Sequence, residues 1–420
     1  MKQLLVLILL QLSLFSADAT IDVIKEVKGN YKIAIESYYD SSSNIEDANK
    51  IKTMLDTDLK VASFYQVSDT HFDAHFDDSL ALLKYRDHKI DYVIRILSYN
   101  KNGRISAKFD VYNINTNSKI YSKEYSVSNR NRYPFLSHKF VIDFSTSLDL
   151  DPLDWMDEFV IFSRNIGPKK SEIVIGDYTL TFTQVVVKRG LAIFPKWQND
   201  KQRSFYYTDA TILPTLYKVD FDTGKRTKIV TSDGMLVCSD VSKDGKKLLL
   251  TMAPNDQADI YLYDIKSKSK KRLTTFSGID VSANFVEDDS GIVFVSDRLG
   301  RPNIFYKKIG SSAVEQMVHQ GDSNNFCTTW KNYIVFVSRN SHSAFSDNKF
   351  NLYMISTDTN YLRQLTTTGK NLFPKFSDSG DTLLYINHLK RETALGIIRL
   401  PYNRSWFFPL NVGKIQSIDW

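Results

Sequence analysis

Apolar and polar positions recur along the C-terminal part of the chain with a period of about 44 residues. In each copy an aromatic or large apolar residue precedes a polar turn and a run of β-type residues, and a second apolar run such as 260–263 follows. We call the apolar residues that begin the copies the anchors: Trp197, Val241, Phe285, Trp330, Phe376 and Trp420. A period of this length, with about four short strands in each unit, predicts the blades of a β-propeller.

The last copy contains only its first strand, because its anchor, Trp420, is the final residue. Runs of β-type residues at 159–162 and 173–187, ahead of the first complete copy, supply the strands that this copy lacks. Joining the C-terminal strand 415–420 to that sheet closes the ring and leaves no open edge between the first and last blades. We therefore expect six blades over residues 156–420.

Residues 20–150 lack the repeat and alternate between strand and helix patterns. Alternating apolar residues predict strands at 21–27 and 31–36. A turn at residues 100–103 joins two further β-type runs, 91–99 and 104–113, into a predicted hairpin, and a third strand ends at Val127. This region therefore contains a small sheet.

Two helices are predicted beside that sheet. Ser43 and Glu46 have the spacing of a capping box, and helical intervals separate the apolar residues Ala48, Ile51, Leu55 and Leu59. Pro134 opens the second helix, whose apolar side chains are Phe135, Phe140, Val141 and Phe144. With a linker at 148–155, the predicted fold is multidomain: a small mixed α/β N-terminal domain followed by a six-bladed β-propeller closed by the C-terminal strand.

The first nineteen residues have the three parts of a secretory signal peptide. Lys2 is followed by an apolar run at 4–15 and by the small-x-small cleavage pattern Ala17-Asp18-Ala19. A membrane anchor is the alternative, but a twelve-residue helix spans only about 18 Å of a hydrocarbon core of roughly 30 Å. We expect cleavage before Thr20 and an exported mature protein.

Composition excludes some classes of protein and of partner. The 420 residues are 42% hydrophobic, which excludes a disordered chain, and they carry 54 basic and 48 acidic side chains, a formal charge of +6. So small an excess over a chain of this length argues against a nucleic-acid partner. The two cysteines, Cys238 and Cys327, occupy the same repeat position in non-adjacent copies. We therefore predict two buried free thiols and no disulfide.

Three short patterns could carry chemistry, and each has a simpler structural interpretation. His71 and His75 have a metal-ligand spacing but no identifiable third ligand. Residues 220–224 begin like a calcium loop, yet they lack the later ligands. The basic run 266–272 falls where an outer hairpin of a blade is expected. No nucleophile, base and orienting group can be assembled, so we predict no catalytic residue, no metal and no cofactor.

One stretch within the repeats has a specific pattern: Ser296-Asp297-Arg298-Leu299-Gly300-Arg301-Pro302-Asn303-Ile304-Phe305. It resembles the S-D-x-x-G-x-P-x-[IV]-[YF] stretch of the TolB family of periplasmic propeller proteins. The segments 373–377 and 194–197 match its P-x-[WF]-S-P-D-G blade openings in part, and 241–245 keeps the Asp-Gly turn. The resemblance covers nearly the whole mature chain. The chain differs from the family pattern mainly in these turns, where Ser-Pro is absent.

The resemblance implies a non-enzymatic periplasmic adaptor, monomeric, that supports outer-membrane integrity and envelope constriction at cell division. It implies that the mature N-terminus binds TolA, here through Thr20, Ile21, Asp22, Val23, Ile24, Lys25, Glu26 and Val27. It also implies that one mouth of the propeller binds the lipoprotein Pal, with outer-membrane proteins as further partners. Register with the anchors gives the mouth residues Met235, Val237, Asp280, Ser282, Asn324, Asn325, Asn371 and Phe373.

Two alternative functions remain open from the sequence. Related propellers include polysaccharide lyases and the gating domains of hydrolases, so a periplasmic propeller enzyme is one alternative. It would require histidines and carboxylates clustered in the channel. The other alternative is a carbohydrate-binding propeller, which would expose aromatic rings in the central funnel.

Overall fold

The computed structural model of the chain describes residues 29–72, 75–188, 190–339, 349–359, 361–389 and 392–420. The predicted signal peptide at 1–19 and the predicted strand and TolA segment at 20–27 lie outside the described residues. Among the helices of the described part, none is both long enough and apolar enough to cross a membrane.

A five-stranded sheet forms the centre of the N-terminal region. Its strands are β1 Tyr31–Tyr39, β2 Tyr65–Ser68, β3 Tyr92–Lys101, β4 Arg104–Asn113 and β5 Ser118–Val127. The helices are α1 Ile45–Ala62, α2 Leu82–Asp87 and α3 Pro134–Ser147. The strand order is β2-β1-β3-β4-β5, with β1 parallel to both of its neighbours and the other pairs antiparallel. The predicted hairpin, third strand and second helix are confirmed.

Alternation along the strands assigns each face of the sheet to different helices. Ile33 and Ile94 face α1 and α3, whereas Ala34 and Val93 face α2 and the segment before it. Sequence patterns did not predict β2 or α2. These elements contain only 4 and 6 residues, which is too short for a periodic pattern to emerge.

Helix α1 begins one residue later than the predicted capping box. Its N-cap is Asn44, whose side chain accepts a hydrogen bond of 2.9 Å from the amide of Asp47. Glu46 pairs instead with Lys50 one turn along the helix. Asparagine caps helices as well as serine does, so the sequence pattern alone could not distinguish Asn44 from Ser43. All four predicted core residues of α1 are buried.

Six four-stranded sheets form the propeller, as predicted. Blade 1 contains β6 Val160–Gly167, β7 Lys170–Gly176, β8 Thr183–Val187 and the last strand of the chain, β29 Lys414–Asp419. Blade 2 contains β9 Ala192–Trp197, β10 Ser204–Asp209, β11 Thr215–Asp220 and β12 Arg226–Thr231, and blade 3 contains β13 Leu236–Val241, β14 Lys247–Met252, β15 Asp259–Asp264 and β16 Lys270–Arg272.

The other three blades follow the same plan. Blade 4 contains β17 Asp280–Val286, β18 Gly291–Ser296, β19 Asn303–Lys308 and β20 Glu315–Gln316, and blade 5 contains β21 Asn324–Trp330, β22 Tyr333–Ser338, β23 Asn351–Ser356 and β24 Leu362–Gln364. Blade 6 contains β25 Lys370–Phe376, β26 Thr382–His388, β27 Thr393–Arg399 and β28 Arg404–Pro409. The anchors therefore lie at the ends of the innermost strands, the position that the repeat predicted.

The C-terminal strand closes the ring. Strand β29 pairs antiparallel with β6, from Lys414 opposite Asn165 to Asp419 opposite Ile161. The indole nitrogen of Trp420 donates a hydrogen bond of 2.9 Å to the carbonyl of Phe376 in blade 6. Blade 1 thus combines strands from both ends of the propeller sequence, which leaves no open edge at the junction.

A buried polar network joins the N-terminal region to blade 1. His138 of α3 lies between two carboxylates, with Nδ1 at 2.9 Å from Asp58 of α1 and Nε2 at 3.4 Å from Asp177 of the β7–β8 hairpin. The hydroxyl of Tyr178 donates a hydrogen bond of 2.6 Å to the same Asp58. Because all four side chains are fully buried, the two regions exchange polar contacts with no access to water.

Aromatic and cationic side chains surround the same joint on the blade 6 side. The guanidinium of Arg399 lies over the rings of Phe64, Trp155 and Tyr402, and it donates a hydrogen bond of 2.9 Å to Asp381. Trp155, at the end of the predicted linker 148–155, is 3% exposed. The C-terminal end of the predicted linker is therefore packed against other residues. We propose that the domain boundary lies between residues 150 and 156.

Candidate functional site

The strand order of the blades separates two ends of the propeller. Each innermost strand runs toward its anchor, so the loops that precede the innermost strands lie at the other end. The loops between the second and third strands of blades 1 to 4, and Leu389 in the corresponding loop of blade 6, lie at that end as well. We call this end the mouth. The joint with the N-terminal region uses the anchor end, through the hairpins after β7 and β27. The mouth is therefore free of the N-terminal joint.

A central cavity opens at the mouth. Its volume is about 240 Å³, which is room for a few inserted side chains of a partner protein. Its walls are mainly apolar and include Phe194, Met235, Val237, Phe326 and Phe373. The rings of Phe326 and Phe373 lie against each other with centroids 4.3 Å apart. An apolar wall of this kind favours apolar side chains of a partner, which are transferred out of water when the partner binds.

Two lysines, Lys196 and Lys375, line the cavity and pair with carboxylates beside it. Nζ of Lys196 lies 2.9 Å from Asp419 and 3.2 Å from Asp240, and Nζ of Lys375 lies 3.7 Å from Asp419. Burial disfavours the charge on Lys196, but Asp419 and Asp240 outweigh burial and raise the pKa of this ammonium above its usual range. We call Lys196, Asp240, Lys375 and Asp419 the floor cluster.

The carboxylates of the floor cluster also connect neighbouring blades. Asp419 of blade 1 accepts a hydrogen bond of 2.9 Å from the amide of Trp197 in blade 2. In the same way, Asp240 of blade 3 accepts one of 2.9 Å from the amide of Phe285 in blade 4. These bonds fix the innermost strands around the channel.

The sequence analysis missed the floor cluster although its signal is present in the repeat. All four residues come directly before an anchor, and Asn284 and Thr329 occupy the same position in blades 4 and 5. A polar side chain directly before the anchor, repeated at the blade period, indicates the residues that line the channel.

Half of the residues predicted to form the Pal-binding mouth line the cavity. These are Met235, Val237, Ser282 and Phe373. Asn325 is half-buried beside them, and its amide donates a hydrogen bond to Ser323.

Three other predicted mouth residues are buried and hold loops together. Asp280 pairs with Arg298 at 3.1 Å, and Asn324 donates hydrogen bonds to Asn303 and to the carbonyl of Gln320. Asn371 donates to the carbonyls of Phe350 and Thr368. Because each of the three is at most 1% exposed, the structure gives them a packing role and no surface for a partner. Register with the anchors locates a strand entrance but does not indicate which side chains point outward.

Exposed apolar side chains surround the mouth. Within the described part of the propeller, most of the exposed large apolar residues lie on loops at this end: Ile166, Ile212, Leu213, Met235, Ile279, Leu299, Leu389 and Val412. The others are Val185 and Phe407 on outer strands and Tyr361 at the anchor end. Apolar residues concentrated around one opening are typical of a protein-interaction surface.

Both cysteines are free and buried, as predicted, and both line the cavity. Burial raises the pKa of the Cys238 thiol above its usual range and that of Cys327 to about 12. Since the thiolate is the reactive form, burial disfavours the nucleophilic form of both side chains.

The other chemical candidates occupy surface positions. His71 and His75 are exposed, and among the described residues no group of three or more His, Cys, Asp and Glu side chains could hold a metal ion. Asp220 caps the β11–β12 hairpin by accepting hydrogen bonds from Thr223. The basic run forms the exposed hairpin between β15 and β16. The simpler interpretations of the hairpin motifs are confirmed.

Comparison with known proteins identifies the family. A sequence model of the TolB β-propeller domain matches residues 159–420. The chain belongs to the TolB family. Among its relatives, the Tol-Pal system protein TolB of Wolinella succinogenes is 44% identical over 413 residues, which cover 97% of each chain. The protein of the same name from Campylobacter jejuni is 42% identical over 425 residues and covers both chains completely.

A solved structure has the same fold. The crystal structure of TolB from Acinetobacter baumannii superposes with a TM-score of 0.77 over 93% of this chain and 97% of that chain. Its sequence is 21% identical, so it supports the TolB architecture of an α/β region followed by a propeller. Membership of the TolB family and the predicted fold class are thus confirmed.

Proposed function

We propose that this TolB-family chain is the TolB component of a Tol-Pal system, a non-enzymatic adaptor in the periplasm that binds Pal at the propeller mouth and TolA through its mature N-terminus. In this function it supports outer-membrane integrity and envelope constriction at cell division. Support comes from the relatives named as Tol-Pal system proteins and from the secretory signal pattern at residues 1–19.

One observation carries the Pal-binding part of the proposal. The mouth combines an apolar cavity with exposed apolar residues around its opening, among them Met235 and Ile279, which are 41% and 52% exposed. An inserted partner segment would bury these side chains, and burying apolar surface drives protein association. The anchor end carries fewer such residues and is partly covered by the N-terminal region.

Replacing both Met235 and Ile279 by glutamate in one chain is expected to weaken Pal binding at least about tenfold, which is about 1.4 kcal/mol of binding free energy. Two charges at the rim would have to lose water when the partner docks. Calorimetric titration with the soluble domain of Pal measures the affinity. The matched control is Tyr361→Glu, an equally exposed apolar residue at the anchor end, which should leave the affinity unchanged. Equal effects of the two variants would count against the mouth as the binding surface.

The TolA part of the proposal concerns residues 20–27. Apolar and polar residues alternate there, a pattern that suits addition of a strand to the sheet edge of a partner. Replacing this segment with glycine and serine residues of equal number should abolish TolA capture and leave Pal capture intact. A pull-down with each purified partner measures both. TolA capture by the replaced chain would contradict the assignment.

A further inference from the structure

Lys375 differs from the other members of the floor cluster in its hydrogen bonding. Nζ of Lys196 donates a hydrogen bond to Asp419 and lies within ion-pair distance of Asp240. Nζ of Lys375 lies 3.7 Å from its closest carboxylate oxygen, on Asp419, which is beyond hydrogen-bond length. Within the described residues, this ammonium donates no hydrogen bond to a carboxylate or a carbonyl, and the ammonium of Lys196 lies beside it. Its donors are therefore available.

The carboxylates of the floor cluster are already engaged. Asp419 accepts hydrogen bonds from Lys196 and from the amide of Trp197, and Asp240 accepts one from the amide of Phe285. Burial, and then the neighbouring charge of Lys196, lower the pKa of Lys375. An ammonium with this little compensation in a buried site is costly, and a further acceptor would lower that cost.

The available donors of Lys375 are accessible from the mouth. Lys375 is one of the residues that line the cavity, and its side chain is 16% exposed. The walls above it are apolar, with Phe326 and Phe373 among them. A charge that reaches Lys375 is therefore shielded from water, and the attraction between opposite charges is stronger there than at the protein surface.

We propose that Lys375 binds a carboxylate carried by the segment of Pal that enters the mouth: an Asp or Glu side chain flanked by apolar residues. This inference rests on the proposed function and adds the chemistry of the contact. The apolar residues of the Pal segment would cover the cavity wall. The carboxylate would accept hydrogen bonds from Nζ of Lys375, which donates none to a carboxylate or carbonyl of the described residues. The ammonium then determines which partner segments fit, since a segment without the acid leaves it unpaired.

The test compares Lys375→Met with a lysine control at the anchor end. Methionine keeps the length of the side chain and removes the charge, and Lys196 keeps both of its carboxylates, so the fold should persist. Lys243→Met removes an exposed lysine in the turn between β13 and β14 and controls for the loss of one positive charge away from the mouth. Titration with the soluble domain of Pal should show at least tenfold weaker binding for Lys375→Met and a change within about twofold for Lys243→Met.

A second measurement identifies the partner group. Each Asp and Glu of Pal is replaced in turn by Asn or Gln and titrated against the wild-type chain and Lys375→Met. One substitution should reproduce the loss seen with Lys375→Met and should add nothing to it, because both remove the same contact. Lys375→Arg, which restores a cation, should recover part of the affinity.

The outcomes separate the inference from the proposed function. If wild-type chain does not bind Pal, the proposed function fails. If it binds Pal but Lys375→Met binds equally well, only the inference fails. If Lys375→Met weakens binding and no acidic residue of Pal is coupled to it, the carboxylate assignment is wrong.

Discussion

Deleting residues 414–420 is expected to unfold the propeller, because these residues form the innermost strand of blade 1. Among the described strands, β29 pairs only with β6, and without it β6 becomes an unpaired edge beside the channel. Blade 6 also loses the neighbour on which its innermost strand packs, including the hydrogen bond from Trp420 to Phe376. The lost contacts therefore affect blades 1, 2 and 6.

The size of the effect follows from what the strand buries. Ile415 and Ile418 are 1% and 3% exposed, and burying each side chain is worth about 1.5–3 kcal/mol. Removing Asp419 leaves the buried ammonium of Lys196 and the amide of Trp197 without this acceptor, at about 1–3 kcal/mol for each group. The free energy of unfolding of a folded domain is only about 5–15 kcal/mol, so these losses approach the total stability of the propeller.

Circular dichroism during heating tests this prediction through the cooperative unfolding transition, which the truncated chain should lack. The control removes Trp420 alone, which leaves Lys414–Asp419 paired with β6 and should lower Tm by only a few degrees. If the chain without 414–420 unfolds cooperatively within a few degrees of the full chain, closure by β29 is not essential.

Replacing His138 with glutamine is expected to destabilise the joint between the domains by about 3–5 kcal/mol, the cost of removing one partner from a buried ion pair. The substitution leaves Asp58 and Asp177 buried without the cation between them. Tyr178 still donates to Asp58, and the amides of Thr179 and Phe182 still donate to Asp177, but these neutral donors do not replace the charge of the lost cation. Chemical denaturation at pH 6 measures the change in the free energy of unfolding.

The pH dependence of that change distinguishes an ion pair from simple packing. Burial alone would lower the pKa of His138, but Asp58 and then Asp177 outweigh burial and raise it from 6.5 to about 10. Because the folded-state pKa lies above the unfolded one, the imidazolium stabilises the fold fully below about pH 6.5, and this contribution is lost as pH rises toward 10. The difference between wild type and His138→Gln should therefore shrink with rising pH. Burial raises the pKa of the nearby Asp157, and the charges of Lys139 and His138 oppose that shift.

An exposed histidine provides the control. His88 lies on the surface of the N-terminal region, with Nδ1 2.8 Å from the carbonyl of Lys84. His88→Gln should change stability little, because a surface contact contributes little. A His138→Gln difference that stayed constant between pH 6 and pH 9.5 would show that His138 stabilises the joint by shape and not by charge.

The repeat predicted most of the propeller because it depends on local properties. Apolar alternation, polar turns and a spacing of about 44 residues recur in every blade, so register alone located the innermost strands and the closing strand. The N-terminal hairpin and helix α3 were predicted for the same reason. Helix α1 was predicted with its cap one residue early, since Ser43 and Asn44 are both good caps.

The candidate site was predicted only in part. Register located the mouth and indicated Met235, Val237, Ser282 and Phe373, which line the cavity. Register did not show that Asp280 and Asn371 turn inward to hold loops. Local sequence determines where a strand begins, whereas the direction of a loop side chain depends on the neighbouring blade.

The sequence by itself determined the number of blades, the strand that closes them and membership of the TolB family, because each depends on residues repeated at a fixed spacing. Only the tertiary structure decided which charges meet. Lys196 and Asp419 are separated by more than two hundred residues along the chain, yet they lie 2.9 Å apart on the cavity floor. His138 likewise meets Asp177 only when the two domains pack. Ring closure and domain packing bring these groups together. A local sequence pattern does not predict the distance between residues so far apart in the chain.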